Sequence, residues 1–392
     1  MKVFPRHEID IKFSDLYAGL LSYFSLLERH QLEKNILSLW NKKYVKVSFT
    51  VRTALDSILH VLNLPANSEV IMSAINIKDM VTIVESHDLR AKAVDLNVDN
   101  LSITPEDLEA TITSETKVLI FAHLFGVIVD LEPLYKTCKK YDLLLIEDCA
   151  QAFCGSKYHG SPFADISLFS FGPIKTSTAL GGAIVVTKSK SHLVGLHLLE
   201  KSYPNRGEYW FLKRIIKYSV FKILLTPFIY GLFIRVLTLC GQDVEKTINT
   251  LSRSFPKGDL ISQIRFQPPI RLISLLQRRL INHDDKKYIR REHTARDFLR
   301  KLDGVFSYPG KTVTSNSFWV IPILSNNPRK LQKKLINYGF DLTRGSHAQV
   351  AVSKNENAQL LLDKILYLPN ISGMTEKERG TLASALLIEA NT

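Results

Sequence analysis

The chain has 392 residues, 45% of them hydrophobic and 23% charged, with a formal net charge of +13 at pH 7. That length and apolar content supply a large buried core with room for two domains, and the charged fraction is that of a folded soluble protein rather than a disordered one. The positive balance favours anionic partners, namely nucleic acid, anionic lipid or phosphorylated substrates, without choosing among them.

Residues 1–44 read as a mixed, largely helical segment with an apolar cluster at Leu20, Leu21, Phe24 and Leu27. From about residue 45 to 187 short apolar runs alternate with amphipathic stretches. Strands are expected at Val45–Phe49, Glu69–Ser73, Ala91–Asp95, Lys117–Ala122, Leu143–Glu147, Ile166–Phe171 and Ala183–Thr187. Helices are expected between them at about 52–62, 78–86, 105–113 and 131–140. Thr104-Pro105-Glu106-Asp107 is a helix start, since Thr104 can cap, Pro105 suits the first turn, and the acids face the positive helix end. Such alternation argues for an α/β domain with a mostly parallel sheet.

The pattern then breaks. Tyr209 to Gln242 contains no acid but carries Lys213, Arg214, Lys217, Lys222 and Arg235, and Ile223–Ile234 within it has no charge at all. A basic, helix-rich stretch runs from Pro268 to about Leu302. The last ninety or so residues read as a small α+β domain, with a strand at Phe318–Leu324 and helices at Arg329–Tyr338 and Glu376–Ile388. Cys138, Cys149, Cys154 and Cys240 form no CxxC pair and no zinc spacing, so they read as reduced intracellular thiols and no metal site is expected. The start, MKVFPRHEID, lacks the apolar core of a signal peptide, which leads to the expectation of a cytoplasmic protein. No helix-turn-helix, zinc or RNA-binding motif supports a nucleic-acid partner.

The most informative stretch is Leu145–Thr187. Asp148 ends a strongly apolar strand, at the carboxyl edge where ligands bind in open α/β sheets. Lys175 lies in an otherwise uncharged run from Ile166 to Thr187, followed by Thr176, Ser177, Thr178 and the pair Gly181-Gly182. A lysine in such a setting is costly unless it is neutralised, paired or covalently used. Taken alone, Asp148 reads as well as a helix cap, and Lys175 as a solvated turn residue. Together with Ser170 they match the parts that pyridoxal phosphate (PLP) chemistry requires. These are an amine that forms an imine and carries a proton, a carboxylate for the pyridine nitrogen, and hydroxyls and backbone amides for the phosphate.

The run Glu147-Asp148-Cys149-Ala150-Gln151, the strand Phe169-Ser170-Phe171, Lys175 and the pair Gly181-Gly182 resemble the DegT/DnrJ/StrS family of PLP-dependent sugar aminotransferases. Further similarities are Thr53-Ala54-Leu55, Asp95, His123…Gly126…Asp130 and the closing Leu366-Tyr367-Leu368-Pro369. The resemblance implies an aspartate aminotransferase-type fold: a large, mostly parallel seven-stranded sheet domain plus a small C-terminal α+β domain. It implies that Lys175 forms the Schiff base, Asp148 pairs with the pyridinium, Gln151 lies close to the ring and its hydroxyl, and Ser170 binds the phosphate. Where the family's phosphate turn has Gly followed by Thr or Ser, this chain has Val51 and Arg52. Backbone amides of that turn and the Arg52 guanidinium are the candidate phosphate ligands; the alternative for Arg52 is a surface arginine at a helix start. The family's ring-stacking aromatic is missing near 73–78, where only Ile75, Asn76 and Ile77 stand, and Gln263-Ile264-Arg265 is the nearest match to the segment that reaches the neighbouring subunit's cofactor. His123 reads as a structural histidine. The implied function is amino transfer, with glutamate as donor, a keto-sugar or lipid-linked carbonyl compound as acceptor, and a homodimer as the assembly. The rivals are a PLP enzyme of another reaction type and a non-catalytic regulator or lipid-binding protein on the same fold.

The chain divides accordingly into 1–200 for the PLP-binding α/β domain, 201–262 for the apolar basic insert, and 263–392 for a linking helix and the small domain. The insert is expected to attach the protein to the cytoplasmic face of an anionic membrane through 209–242 as a hairpin or interfacial helix, because 12 uncharged residues fall short of the roughly 20 that span a bilayer. The competing expectation is a buried helix pair.

Overall fold

In chain order the strands of the computed structural model are β1 (Tyr44–Ser48), β2 (Glu69–Ser73), β3 (Ile75–Ile77), β4 (Arg90–Val94), β5 (Thr116–Ala122), β6 (Leu144–Asp148), β7 (Ile166–Ser170), β8 (Ala183–Thr187), β9 (Ile321–Leu324), β10 (Gln349–Ala351) and β11 (Ile365–Leu368). The structure describes residues 2–40, 42–252, 258–344, 349–352 and 355–390. Seven strands form one sheet in the order β1-β8-β7-β6-β5-β2-β4. Within it β8 runs antiparallel to both β1 and β7, and the remaining pairings are parallel. The anticipated strands at Glu69–Ser73 and Ala183–Thr187 have those bounds, and the other five differ by one residue at one or both ends.

The helices are α1 (Phe13–Leu21), α2 (Arg29–Leu39), α3 (Val51–Leu62), α4 (Lys78–Glu85), α5 (Pro105–Thr111), α6 (Glu132–Lys140), α7 (Lys190–Lys201), α8 (Glu208–Leu224), α9 (Pro227–Leu239), α10 (Val244–Ser252), α11 (Leu260–Ile264), α12 (Ile270–Ile281), α13 (Asp285–Arg300), α14 (Pro328–Leu335), α15 (Glu356–Lys364) and α16 (Glu376–Ala390). Local chemistry sets their ends. Thr50 caps α3 by accepting from the Thr53 amide at 3.1 Å, and Asn63 closes it in the left-handed conformation. Thr104 caps α5 through the Asp107 amide at 3.1 Å, with Pro105 in the first turn.

Alternation along the strands sends side chains to opposite faces. Val70, Met72, Val118, Ile120 and Ile146 pack with Ala54, Leu55, Ile58 and Leu59 of α3 and Leu196 of α7. Ile71, Leu119, Phe121 and Leu145 pack on the other side with Leu108 of α5 and Leu134 of α6. A third cluster joins Val45, Val47, Phe169 and Ile184 to α1, α2, α8, α9 and α12. β9 and β11 form a separate antiparallel pair, while β10 pairs with β3. The strand expected from Phe318 begins only at Ile321. Phe318 has φ 46°, its amide bonds to Asn316 Oδ1 at 2.7 Å, and Asn316 bridges to Val127, so the backbone here follows the loop after β5 instead of β11.

α8 and α9 meet at about 90°. Phe211, Ile215, Tyr218, Phe221, Leu225, Tyr230 and Ile234 are buried among Ile9, Leu16, Leu272, Leu275 and Leu276. The buried-pair expectation therefore describes one face of these helices. The hydroxyl of Tyr230 reaches Asp341, which also accepts from Arg6 at 2.7 and 2.8 Å, and Pro227 O accepts from the Val3 amide at 3.0 Å. Among the described residues no single helix is long and apolar enough to cross a membrane.

Between β7 and β8 the chain makes a tight excursion, residues 171–182. Ser177 (φ 52°) and Leu180 (φ 63°) adopt left-handed conformations without being glycine, and Gly182 (φ 87°) follows. Arg279 of α12 holds this turn and the N-terminal segment together. Its Nε donates to Thr178 O at 3.1 Å, Nη2 to Asp10 O at 2.7 Å and Nη1 to Asp15 at 2.6 Å. Replacing Arg279 by Ala is expected to lower unfolding free energy by about 3–5 kcal/mol, because Asp15 is left buried with one partner fewer. Denaturant unfolding of the variant checks this, and a loss under about 1 kcal/mol would place the clamp elsewhere.

Candidate active site

A cavity of about 260 Å³ opens at the carboxyl edge of the main sheet. It gathers Val51 and Arg52 from α3, Asp148 from β6, Gln151, Ser170 at the end of β7, and Lys175 from the turn that follows. All six residues singled out in the sequence therefore border one space, though they come from four separate segments.

Asp148 is buried, and its Oδ1 accepts from the Ala150 amide at 2.8 Å. Burial pushes its carboxyl above the usual range, opposed by that amide and by the positive charges of Lys175, His123 and Arg52. The Lys175 side chain is partly exposed to the cavity while protein atoms surround its amine. Burial lowers the amine pKa to about 8, with Asp148 working the other way and Arg52 reinforcing the drop. The amine lies 4.2 Å from the centre of the Trp319 ring, and Trp319 Nε1 donates to Ile174 O at 2.8 Å. Gly126 makes this approach possible. It has φ 100°, and a Cβ there would fall 2.6 Å from the backbone nitrogen of Trp319.

Behind Asp148 lies a buried network. Glu147 accepts from the Ser161 amide at 2.6 Å, from Tyr158 at 2.5 Å and from Ser167, and contacts His123 Nε2 at 3.1 Å. Burial pushes the Glu147 carboxyl up, but His123, Ser167 and Tyr158 outweigh it and hold it low. His123 Nδ1 accepts from the Val129 amide at 3.2 Å, so both ring nitrogens are engaged. The histidine supports the strand ends, as its sequence context suggested. Asp95 and Asp130 also have structural partners, accepting at the starts of α15 and α6 respectively.

Other placements differ from simple readings of the motif. Arg52 Nε pairs with Asp79 at 2.6 Å, so its charge reaches the cavity already partly compensated. The first amides of α3, at Val51 and Arg52, lie at the cavity and give it the positive end of a 12-residue helix. Gln151 Oε1 accepts from the Phe125 amide at 2.7 Å. Arg265 makes a bidentate pair with Asp56 at 2.9 Å, which ties it to α3 of its own chain. Where a stacking aromatic was sought, Asn76 borders the cavity with a buried Nδ2 that has no hydrogen-bond partner among the described residues. Leu368 and Pro369 of the closing motif line the opposite wall.

Sequence reasoning missed Trp319, Asn76, Arg291 and the N-terminal stretch Arg6, His7, Glu8 and Asp10, all of which border the cavity. Four titratable residues among five, Arg6 to Asp10 around the apolar Ile9, leave little to bury and were a readable signal. His7 is held down to about 4 by burial and by Arg6, against the opposing pull of Asp341.

Fold and site together define an α/β protein with an enclosed lysine amine and a strand-end carboxylate on one cavity. Residues 28–201 match the model of the DegT/DnrJ/EryC1/StrS aminotransferase family. GDP-perosamine synthase of Escherichia coli O157:H7 is 34% identical over 161 residues, which cover 40% of this chain and 44% of that protein. The chain thus matches less than half the length of this curated relative. The whole fold is similar to that of Helicobacter pylori PseC, an aminotransferase of pseudoaminic acid biosynthesis (TM-score 0.73, 17% identity, all of both chains). It is also similar to the PMP form of the putative sugar aminotransferase Spr1654 from Streptococcus pneumoniae (TM-score 0.73, 15% identity, 99% of this chain and 98% of that one).

A neutral amine is the nucleophilic form, so Lys175 should become reactive about two pH units below an ordinary lysine near 10.4. Competitive labelling with a small amine reagent, read by mass spectrometry, is expected to give a midpoint near 8 for Lys175. Because Asp148 raises that value, Asp148→Asn should move the midpoint lower still. A Lys175 midpoint at the surface-lysine value would contradict the enclosure described here.

Proposed function

We propose that this protein is a PLP-dependent aminotransferase in which Lys175 carries the cofactor. The observation that supports it most is the enclosed amine of low basicity sharing a cavity with buried Asp148. The residues present fit the cofactor. The α3 N-terminus and Ser170 offer donors to a phosphate, and the orphaned amide of Asn76 and hydroxyl of Thr176 face the same space and await a polar partner. When bound, PLP supplies an exchangeable carbonyl and an electron sink.

The chain's own groups do the rest. Lys175, neutral in a large fraction of molecules near pH 8, would hold the cofactor and serve as the general base and acid that moves a proton. Asp148, kept from water, would keep a bound cofactor's ring nitrogen protonated. The Glu147–His123–Tyr158 network fixes the strand end on which Asp148 sits. Trp319 and the wall from the C-terminal segment exclude water from the amine. In this reading glutamate donates the amino group, a keto-sugar or lipid-linked carbonyl compound accepts it, and the protein acts as a homodimer. Residues 1–200 bind the cofactor, 201–262 attach to a surface, and 263–392 complete the cavity.

The second part of the reading concerns location: the cytoplasmic face of an anionic membrane. The outer face of α8 and α9 exposes Ile216, Val220, Ile223, Phe228 (72%), Leu232 (57%), Val236 (49%) and Leu239 (81%). Exposed Phe13 of α1 lies 5.4 Å from the Lys222 amine, extending that face. Lys213, Lys217 and Arg235 are exposed beside it, whereas Arg214 turns inward to Leu180 O. An apolar strip flanked by these cations suits anionic headgroups, each cation near the surface adding about 1 kcal/mol.

Borohydride reduction of the purified protein is expected to abolish a visible cofactor band and leave the pyridoxyl adduct on Lys175 by mass mapping. Lys175→Ala should have no turnover, and Asp148→Asn should keep the fold while losing activity by at least about a hundredfold, as loss of a preorganised charge does. An adduct on another lysine, or near-normal transamination by Asp148→Asn, would reject the assignment. For location, the wild type should float with anionic liposomes at low salt, and a variant with Phe228, Leu232 and Val236 changed to Ser should not. A wild type that stays in the soluble fraction ends the attachment reading, and equal flotation removes the insert as anchor.

A further inference from the structure

Arg291 lies on α13 and borders the cavity that holds Lys175. Its Nε and Nη2 are buried and have no hydrogen-bond partner among the described residues. Its neighbour Arg290 is exposed and pairs with Asp284 at 3.6 Å. The other cavity arginines each hold a carboxylate: Arg6 grips Asp341 at 2.7 Å, with Nη1 alone lacking a hydrogen bond among the described residues, and Arg52 grips Asp79 at 2.6 Å. A buried guanidinium with open donors is costly, and such a group persists where a ligand completes it.

The position of Arg291 is fixed by contacts that lead directly to the lysine turn. Its guanidinium lies 4.8 Å from the Tyr288 ring centre. The Tyr288 hydroxyl is 2.8 Å from Ser177 Oγ, two residues beyond Lys175, and 3.2 Å from Asp10 Oδ2. Tyr288 is stacked in turn on His283 at 4.9 Å. The guanidinium is thus braced on a ring that is itself bonded to the turn carrying the reactive amine.

Resting on the aminotransferase reading, we propose that Arg291 is the binding residue for the carboxylate of the amino donor, a singly charged group beside the amine to be transferred. The planar fork of arginine matches a carboxylate with two parallel hydrogen bonds. The acids on the wall limit the negative charge that can sit against Arg291 itself to one carboxylate group. Asp10 and Glu8 border the same cavity and carry negative charge, even though Lys287 and Arg279 compensate the first and Asn370 bonds to the second. One carboxylate group supplies the two acceptors that the Arg291 fork lacks, whereas a phosphate would crowd its second charge against these acids at the same point. An amine without a carboxylate would leave Arg291 open, so the site also selects amino acids over simple amines as donors.

Calorimetric titration of the cofactor-loaded protein with glutarate, and separately with inorganic phosphate, tests the proposal. Arg291→Gln is expected to weaken glutarate binding by about ten- to a hundredfold, as loss of a charged hydrogen-bond pair does. Arg291→Lys keeps the charge without the fork and should fall between, and Arg290→Gln should bind as the wild type does. All three should retain the borohydride-reducible band on Lys175 and an unchanged circular dichroism spectrum. Glutarate that fails to bind the wild type, or that binds Arg291→Gln equally well, overturns the proposal. So does an Arg291 dependence seen for phosphate but not for glutarate. A wild type lacking the cofactor band would instead count against the aminotransferase reading, and the titration of the same protein would still report whether Arg291 holds a carboxylate.

Discussion

The site depends on one strained turn being held in place. Residues 171–182 place Lys175 over the edge of the sheet only because Ser177 and Leu180 accept left-handed backbone conformations. Such conformations cost about 1–2 kcal/mol each for non-glycine residues. Several bonds offset that cost. Phe171 O accepts from the Ala179 and Gly181 amides at 3.1 and 3.0 Å, and Asp10 accepts from the Ser177 amide at 2.8 Å. Arg279 and Arg214 close it from the side by donating to Thr178 O and Leu180 O. The basic insert, through Arg214, is therefore part of the scaffold for Lys175 as well as a surface feature.

Electrostatics within the cavity follow from that placement. Enclosure removes water from both Lys175 and Asp148, which disfavours charge on each, while their mutual attraction favours charge on both. For the amine desolvation dominates, and a nucleophile available near neutral pH results. The negative charge closest to Asp148 in sequence, Glu147, is kept ionised by four hydrogen-bonding groups and points into the network with His123 and Tyr158. Two adjacent carboxylates thus have opposite tendencies, one stabilised in its charged form and one disfavoured in it by burial. Alternation along β6 causes the split, because successive side chains leave the strand on opposite faces.

The α8–α9 pair has two faces with different partners. Inward, Phe211, Ile215, Tyr218 and Tyr230 belong to the core, and the Tyr230–Asp341–Arg6 cluster ties the pair to the C-terminal part of the chain. Outward, an apolar strip remains uncovered in the single chain. The two readings offered by the sequence, core pair and surface anchor, were alternatives there because hydropathy along the chain sums both faces. The 90° bend between the helices, with Pro227 in the first turn of α9, separates them in space and lets the same segment present both.

Much was legible from residues alone. Hydrophobic alternation located all seven strands of the main sheet, and the capping chemistry of Thr104 located the start of α5, because both signals arise from local periodicity and local hydrogen bonding. The motif Glu147–Gln151, the run Phe169–Phe171 and Lys175 were visible because they sit in one contiguous stretch where charge is rare. What only the tertiary structure decided was which distant groups meet them. Trp319 reaches Lys175 across 144 positions in the chain because Gly126 lacks a side chain, β3 finds β10 from 274 residues away, and Arg265 is taken by Asp56. Arg291 looked like one more cation of a basic helix, and only burial and missing partners distinguish it from Arg290 beside it. Local pattern records what a residue prefers, whereas solvation and charge compensation depend on neighbours that the chain brings together only when it folds.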